Sequence, residues 1–170
     1  GPQQFLREAQ RLAVLALLAR AGQRGLSRDQ LLGYLWPDLD AARARNALSQ
    51  TLFALRRDLF AEDLIEGTAN LRLNGSLISS DLQDFEDAIR AGDLERAVDL
   101  YDGPLLEGLH LRDAPEFERW VDQQRATLAN RLRGALASLA AAAERQGDQE
   151  AELRWLQQLL ATDPYSADAV

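Results

Sequence analysis

Apolar residues recur at intervals of three and four along almost the whole of this chain, and only one short stretch, residues 64–74, alternates in twos. A chain patterned in that way can bury its apolar side chains only along helix stripes, with room for one small β element. The expected fold class is therefore mainly α. The clearest stripe runs from Ala41 to Leu59, where Ala44, Leu48, Leu52, Leu55 and Leu59 share one side of a helical wheel and Arg43, Asn46, Gln50, Phe53 and Arg57 share the other. Arg, Asn and Gln carry the forked donors and acceptors that match guanine and adenine edges in a major groove, and a Phe can meet a thymine methyl. Arg45 and Arg56 flank that face, within reach of phosphates. A solvated helix face that happens to be basic is the other reading of the same pattern.

The segments around this stretch give it a setting. Phe5 to Ala21 places Phe5, Ala9, Leu12, Ala16 and Ala19, with Leu15 and Leu18 beside them, at helical spacing, which predicts a mostly buried helix ending at Gly22. Ser27 to Gln30 has the capping-box pattern, and Leu26 and Leu31 occupy the positions of a hydrophobic staple, so a second helix should run from Arg28 to about Leu35. Trp36-Pro37 stops it, and Asp38 or Asp40 can cap the third helix. A short second helix followed by a longer, basic third one is a helix-turn-helix arrangement. Leu64-Ile65-Glu66 and Leu71-Arg72-Leu73-Asn74, separated by Gly67-Thr68-Ala69-Asn70, then read as a small hairpin in the position of a wing. Arg72 on the returning strand can meet phosphate or the minor groove, or can be an exposed strand arginine without a role.

From Asp81 the pattern changes to helix hairpins. Leu82 to Ala91 and Leu94 to Tyr101 are joined by Gly92-Asp93. A long helix from Ala114 to about Gln146, capped by Asp113, carries Phe117, Trp120, Val121, Leu128, Leu132, Leu136 and Leu139 on its stripe. Gly147-Asp148 leads into a last helix, Gln149 to Thr162, with Leu153, Leu156, Leu159 and Leu160. The two Gly-Asp turns, each followed by an amphipathic helix, and the Asp163-Pro164 that closes the second follow the pattern of tetratricopeptide-like (TPR-like) repeats, although 55 residues separate them. Such arrays hold peptides or protein domains. The boundary between the two halves falls at residues 80 and 81.

Net charge is −8, but residues 1–75 hold ten arginines against eight carboxylates and the remainder nine against nineteen. The acidity belongs to the second half, which suits a chain whose first part meets a polyanion and whose second part meets protein or solvent. The chain has no cysteine and one histidine, which excludes disulfides, thiolate chemistry and the usual zinc sites. It has no glycine-rich phosphate loop, no GxSxG elbow and no HExxH, and His110 lies among leucines without a nucleophile nearby. The expectation is a protein that is not an enzyme, with no cofactor and no metal. The longest apolar run, Leu12 to Ala19, is too short to span a bilayer and no secretory leader is present, so a cytoplasmic protein without a membrane partner is expected.

The order of several phrases resembles the bacterial transcriptional activator domain (BTAD) proteins, which include the SARP-type regulators. The phrases are Leu35-Trp36-Pro37-Asp38, Ala42-Arg43-Ala44-Arg45-Asn46-Ala47-Leu48, Leu55-Arg56-Arg57, Leu64-Ile65-Glu66-Gly67, Gly92-Asp93-Leu94-Glu95-Arg96-Ala97, Tyr101-Asp102-Gly103-Pro104-Leu105-Leu106, Glu118-Arg119-Trp120 and Gly147-Asp148. The resemblance implies a winged-helix DNA-binding domain over residues 1–80 and a TPR-like activator domain over 81–170. In members of the family a small antiparallel sheet precedes the first helix; this chain starts almost at that helix, so its winged helix is expected to be truncated. It also implies binding to double-stranded promoter DNA as a homodimer, and contact with RNA polymerase or another protein domain through the helical repeats. Where related domains carry two adjacent basic residues in the recognition helix, this sequence has Phe53 and Ala54, which shifts the expected base reading toward Arg43, Asn46 and Gln50. The alternative function is a TPR-like protein-interaction module that does not bind DNA.

Overall fold

A computed structural model of the chain describes residues 1–75 and 81–162. It is mainly helical, with seven α-helices and one three-stranded sheet among the described residues. The chain divides into two compact units, Gly1–Leu82 with Leu106–Asp122, and Gln83–Leu105 with the residues from Gln123 on.

In the first unit, α1 (Pro2–Ala21) ends at Gly22, whose φ of 59° is one that a side chain makes costly. A short 3-10 turn leads to β1 (Leu26–Ser27), and α2 (Arg28–Leu35) follows at once. Both halves of the capping box form: the Gln30 amide donates to Ser27 Oγ at 3.1 Å, and the Ser27 amide donates to Gln30 Oε1 at 2.9 Å. Asp40 caps α3 (Ala41–Asp58), its Oδ1 accepting from the Arg43 amide at 3.0 Å. The chain leaves α3 through Leu59 and Phe60, the latter left-handed at φ 52°.

The hairpin pairs β2 (Ile65–Glu66) with β3 (Asn70–Leu73), and β3 also pairs with β1, giving the antiparallel order β1-β3-β2. Leu26 stands opposite Leu71, Ile65 opposite Leu73 and Glu66 opposite Arg72. The sequence pattern shows no β1, because two residues cannot display an alternation and their partner strand lies more than forty positions on. Two glycines fix the ends of this sheet. At Gly25 and Gly67 φ is 67° and 99°, and a Cβ would run into the carbonyl oxygens of Leu71 and Asn70 respectively.

The core of this unit gathers Val14, Leu17 and Leu18 of α1, Leu31 and Leu35 of α2, Leu48, Leu52 and Leu55 of α3, and Leu64, Ile65 and Leu71 of the hairpin. Leu111, Phe117 and Val121 complete it. Phe117 stacks on Trp120 with centroids 5.8 Å apart, and Trp120 meets the Tyr34 ring at 6.4 Å edge-on. Two expectations are corrected here. The buried side of α1 is Ala13, Val14, Leu17 and Leu18, and Phe5 and Leu12 stand exposed at 74% and 49%; tertiary packing, not spacing, chooses between adjacent apolar stripes of a Leu-Ala helix. Leu59 lies beyond the last turn of α3 and is exposed.

The second unit is built from helix hairpins. α4 (Asp81–Ala91), from Gln83 on, and α5 (Leu94–Leu100) form one, and the part of α6 (Pro115–Gln146) from Gln123 on forms the other with α7 (Gln149–Ala161). The two Gly-Asp turns have one geometry. At Gly92 and Gly147 φ is 76° and 72°; the Asp93 and Asp148 amides donate to the carbonyls five residues back, Ala88 and Ala143, at 2.9 and 3.0 Å; and each Asp Oδ1 caps the next helix through Arg96 and Ala151. Leu132, Leu136, Ala140 and Ala143 of α6 pack with Trp155 of α7 and with Val98 and Tyr101. Phe85 lies against Tyr101 at 5.9 Å, and Arg131 pairs with Glu86. The stripe expected on α7 is corrected as well: Trp155 is its buried anchor and Leu159 is half-buried, whereas Leu153, Leu156 and Leu160 are exposed. The expected closing turn at Asp163-Pro164 lies outside the described residues.

Candidate nucleic-acid interface

α3 presents two chemically distinct sides. Ala44, Leu48, Thr51, Leu52 and Leu55 are buried, and the Thr51 hydroxyl is satisfied by the Ala47 carbonyl at 2.8 Å, so one side of the helix is locked into the core. On the opposite side Arg43, Asn46, Gln50, Phe53 and Arg57 are all exposed, as the wheel predicts. Asn46 and Gln50 make no hydrogen bond among the described residues. Their amides are open to a ligand on a helix that cannot rotate without opening its core. Phe53 is 66% exposed at the middle of the same face.

The arginines differ in how they are held. Arg43 Nε pairs with Asp40 Oδ2 at 3.5 Å, both side chains well exposed, an ion pair of little strength that a phosphate or base can displace. Arg45 Nε returns to the Ala41 carbonyl at 3.1 Å on the helix flank. Arg57 meets Asp58 Oδ1 at 2.9 Å, and Asp58 Oδ2 takes Arg11 of α1 at 2.7 Å. Arg56 is half-buried: its Nη2 donates to the Ile65 carbonyl at 3.0 Å, and its Nε is buried without a partner. That guanidinium ties α3 to β2 instead of projecting outward. Arg72, on β3, is ion-paired with Glu66 across the hairpin at 3.1 Å. Arg28 at the start of α2 donates to the Thr68 carbonyl at 2.7 Å and holds the hairpin loop.

The structure thus brings Arg43, Asn46, Gln50, Phe53 and Arg57 together on one face, keeps Arg45 at its edge, and uses Arg56 inside the unit. Sequence reasoning missed a second set. Between α1 and α3 lies a cleft of about 620 Å³, lined among others by Arg7, Gln10 and Arg11 from α1 and by Gln50, Phe53 and Arg57 from α3. The signal was present, since Arg7, Gln10 and Arg11 follow the spacing of three and four, but it lay inside a helix read as mostly buried. His110 is exposed beside Glu118 at 3.7 Å; among the described residues no group of three or more His, Cys, Asp or Glu could hold a metal ion, and no helix described is long and apolar enough to cross a membrane.

A helical chain of this kind, with a basic and amide-bearing helix face in one unit and helix hairpins in the other, suits a transcription regulator, and the family comparison agrees. Residues 76–170 match the model of the bacterial transcriptional activator domain, so the chain belongs to that family, whose members are transcriptional activators. The matched segment includes residues 106–122, which pack in the first unit. No curated protein matches the chain.

Proposed function

We propose that this protein is a SARP-type, DNA-binding transcriptional activator: residues 1–80 act as a winged helix that reads promoter DNA with α3, and residues 81–170 act as a TPR-like activator domain. The observation that carries the reading is the open face of α3, where Asn46 and Gln50 have no partner among the described residues and stand beside Arg43 on a helix whose other side is buried. Amide side chains in that state are suited to the paired donor and acceptor of adenine, and Arg43 to guanine. The element order α1-β1-α2-α3-β2-β3 with sheet order β1-β3-β2 supports the winged-helix reading, because it sets a hairpin beside the carboxyl end of the reading helix. In this assignment Arg45 and Arg57 meet phosphates, Phe53 meets a thymine methyl or a sugar, Arg72 exchanges Glu66 for the DNA backbone, and Arg56 sets the angle of the wing.

The partners that follow are double-stranded promoter DNA, bound as a homodimer on repeated sites, and RNA polymerase or another protein domain at the helix hairpins of the acidic second half. No catalysis, no cofactor and a cytoplasmic setting belong to the same reading. Its test is an electrophoretic shift of genomic promoter fragments. The chain should shift a cognate fragment in a salt-dependent way, and replacing Arg43 and Gln50 by Ala should abolish the preference for that fragment over others. A chain that binds no genomic fragment at low salt is not a DNA reader.

A second reading, a TPR-like protein-interaction module that does not touch DNA, is favoured by the exposed Phe53 and by the acidity of residues 76–170. Under that reading Phe53→Ala weakens capture of a protein partner, and Arg43 and Gln50 are neutral.

A further inference from the structure

The cleft between α1 and α3 is cationic and aligned with the reading face. Arg7 is exposed and, with Gln10, has no hydrogen bond or ion pair among the described residues. Arg11 and Arg57 share the single carboxylate of Asp58, and among the described residues no carboxylate lines the cleft itself. Three arginines therefore line the cleft, with the Asp58 carboxylate paired to two of them. Gln50, Phe53 and Arg57 belong both to the cleft and to the exposed side of α3, so the two surfaces adjoin without a break.

Groove dimensions decide what the adjoining cleft meets. A B-DNA major groove is about 12 Å wide, and a helix with its side chains is about 10 to 12 Å across, so a helix seated in the groove fills it. An element packed alongside such a helix meets the groove wall, which is the sugar-phosphate backbone. We propose that α1 is a second DNA-contacting element of this chain, with Arg7 binding a backbone phosphate of the strand next to α3, Gln10 supporting it as a neutral donor, and Asp58 holding Arg11 and Arg57 in place. The inference rests on the reading of α3 given above. Arg7 is the phosphate-binding residue in it and carries no sequence information.

The test measures binding of the full chain, the Arg7→Ala variant and the Arg7→Lys variant to a DNA fragment selected by the wild type, over a series of salt concentrations. One phosphate contact contributes about 0.9 to the slope of log affinity against log salt on B-DNA. Arg7→Ala should lower that slope by about 0.9 and leave the preferred sequence unchanged, and Arg7→Lys should restore the slope because a point charge suffices. An unchanged slope in Arg7→Ala overturns the role of α1 and leaves the reading of α3 standing. A changed sequence preference in Arg7→Ala overturns the phosphate assignment, since a base is then being read. A folded wild-type chain with no salt-dependent binding removes the α3 reading itself, and the role of α1 with it.

Discussion

Arg56 and Arg57 are neighbours in sequence with opposite fates, and the difference is set by about 100° of helix turn. Arg57 points along the open face to Asp58, while Arg56 turns under α3 to the Ile65 carbonyl. A charged hydrogen bond of that kind contributes on the order of 1.5 to 3 kcal/mol, reduced here by the buried Nε that has no partner. Arg56→Ala should therefore destabilise the first unit by about 1 to 2 kcal/mol in chemical denaturation, whereas Arg57→Ala, at an exposed pair, should stay within about 0.5 kcal/mol. The helical wheel separates the two only as face and flank; that Arg56 turns inward is not legible, because the carbonyl that claims it comes from the backbone of a strand that forms only when the unit folds. Tyr101 in the second unit is a different case at the same scale: burial pushes its hydroxyl above the usual tyrosine range, against a smaller opposing effect of the Arg133 guanidinium. Since the folded value lies above the unfolded one, stability is full below about pH 10 and falls as pH rises past it, when the unfolded chain loses its proton first. Thermal melts at rising alkaline pH should show that fall, and Tyr101→Phe, which keeps the Phe85 contact, should diminish it.

At the scale of elements, what the sequence displayed most faithfully was local. The capping box of α2 and the two Gly-Asp turns are written within six residues and form as the pattern predicts, and of the two caps the pattern offers α3, Asp38 and Asp40, Asp40 forms. What it concealed was set by distant partners: β1 exists because β3 arrives beside it, and the buried stripe of α1 is the one that β3 and α3 cover. Each local device has a measurable worth. Asp148→Ala removes the cap of α7 and should cost about 1 kcal/mol, with Asp93→Ala similar at α5. Gly67→Ala should cost more than a cap, about 2 kcal/mol or above, because the side chain is strained at a φ of 99° and collides with the Asn70 carbonyl as well. The loss should appear first in the hairpin, read by amide exchange of β2 and β3.

For the whole molecule, the compact units are not two consecutive stretches of chain. The sequence pattern suggests a single cut at residues 80 and 81, while the first unit takes back Leu106–Asp122, whose Leu111, Phe117 and Val121 are almost fully buried in its core. The loop anchors are legible as apolar residues, but their destination is not, since spacing alone assigns Phe117 and Leu136 to one stripe of one helix. A fragment ending at Leu82 should therefore lack a cooperative melt. Phe117→Ala in the full chain should destabilise the first unit by about 3 to 5 kcal/mol, measured by denaturant unfolding with Tyr34 and Trp36 fluorescence as the local signal. The open face of α3 belongs to this unit, so under the proposed function its placement rests on residues drawn from the family-matched segment as well as on the helix itself.

The most direct measurement is a selection of bound fragments from a genomic library by the full chain and by its Arg43→Ala, Gln50→Ala double variant, at several salt concentrations. If α3 reads bases, the wild type enriches fragments that share a sequence, and the double variant retains salt-dependent binding but enriches no common sequence. Enrichment of the same sequence by both proteins, or binding by neither while both are folded, would contradict it.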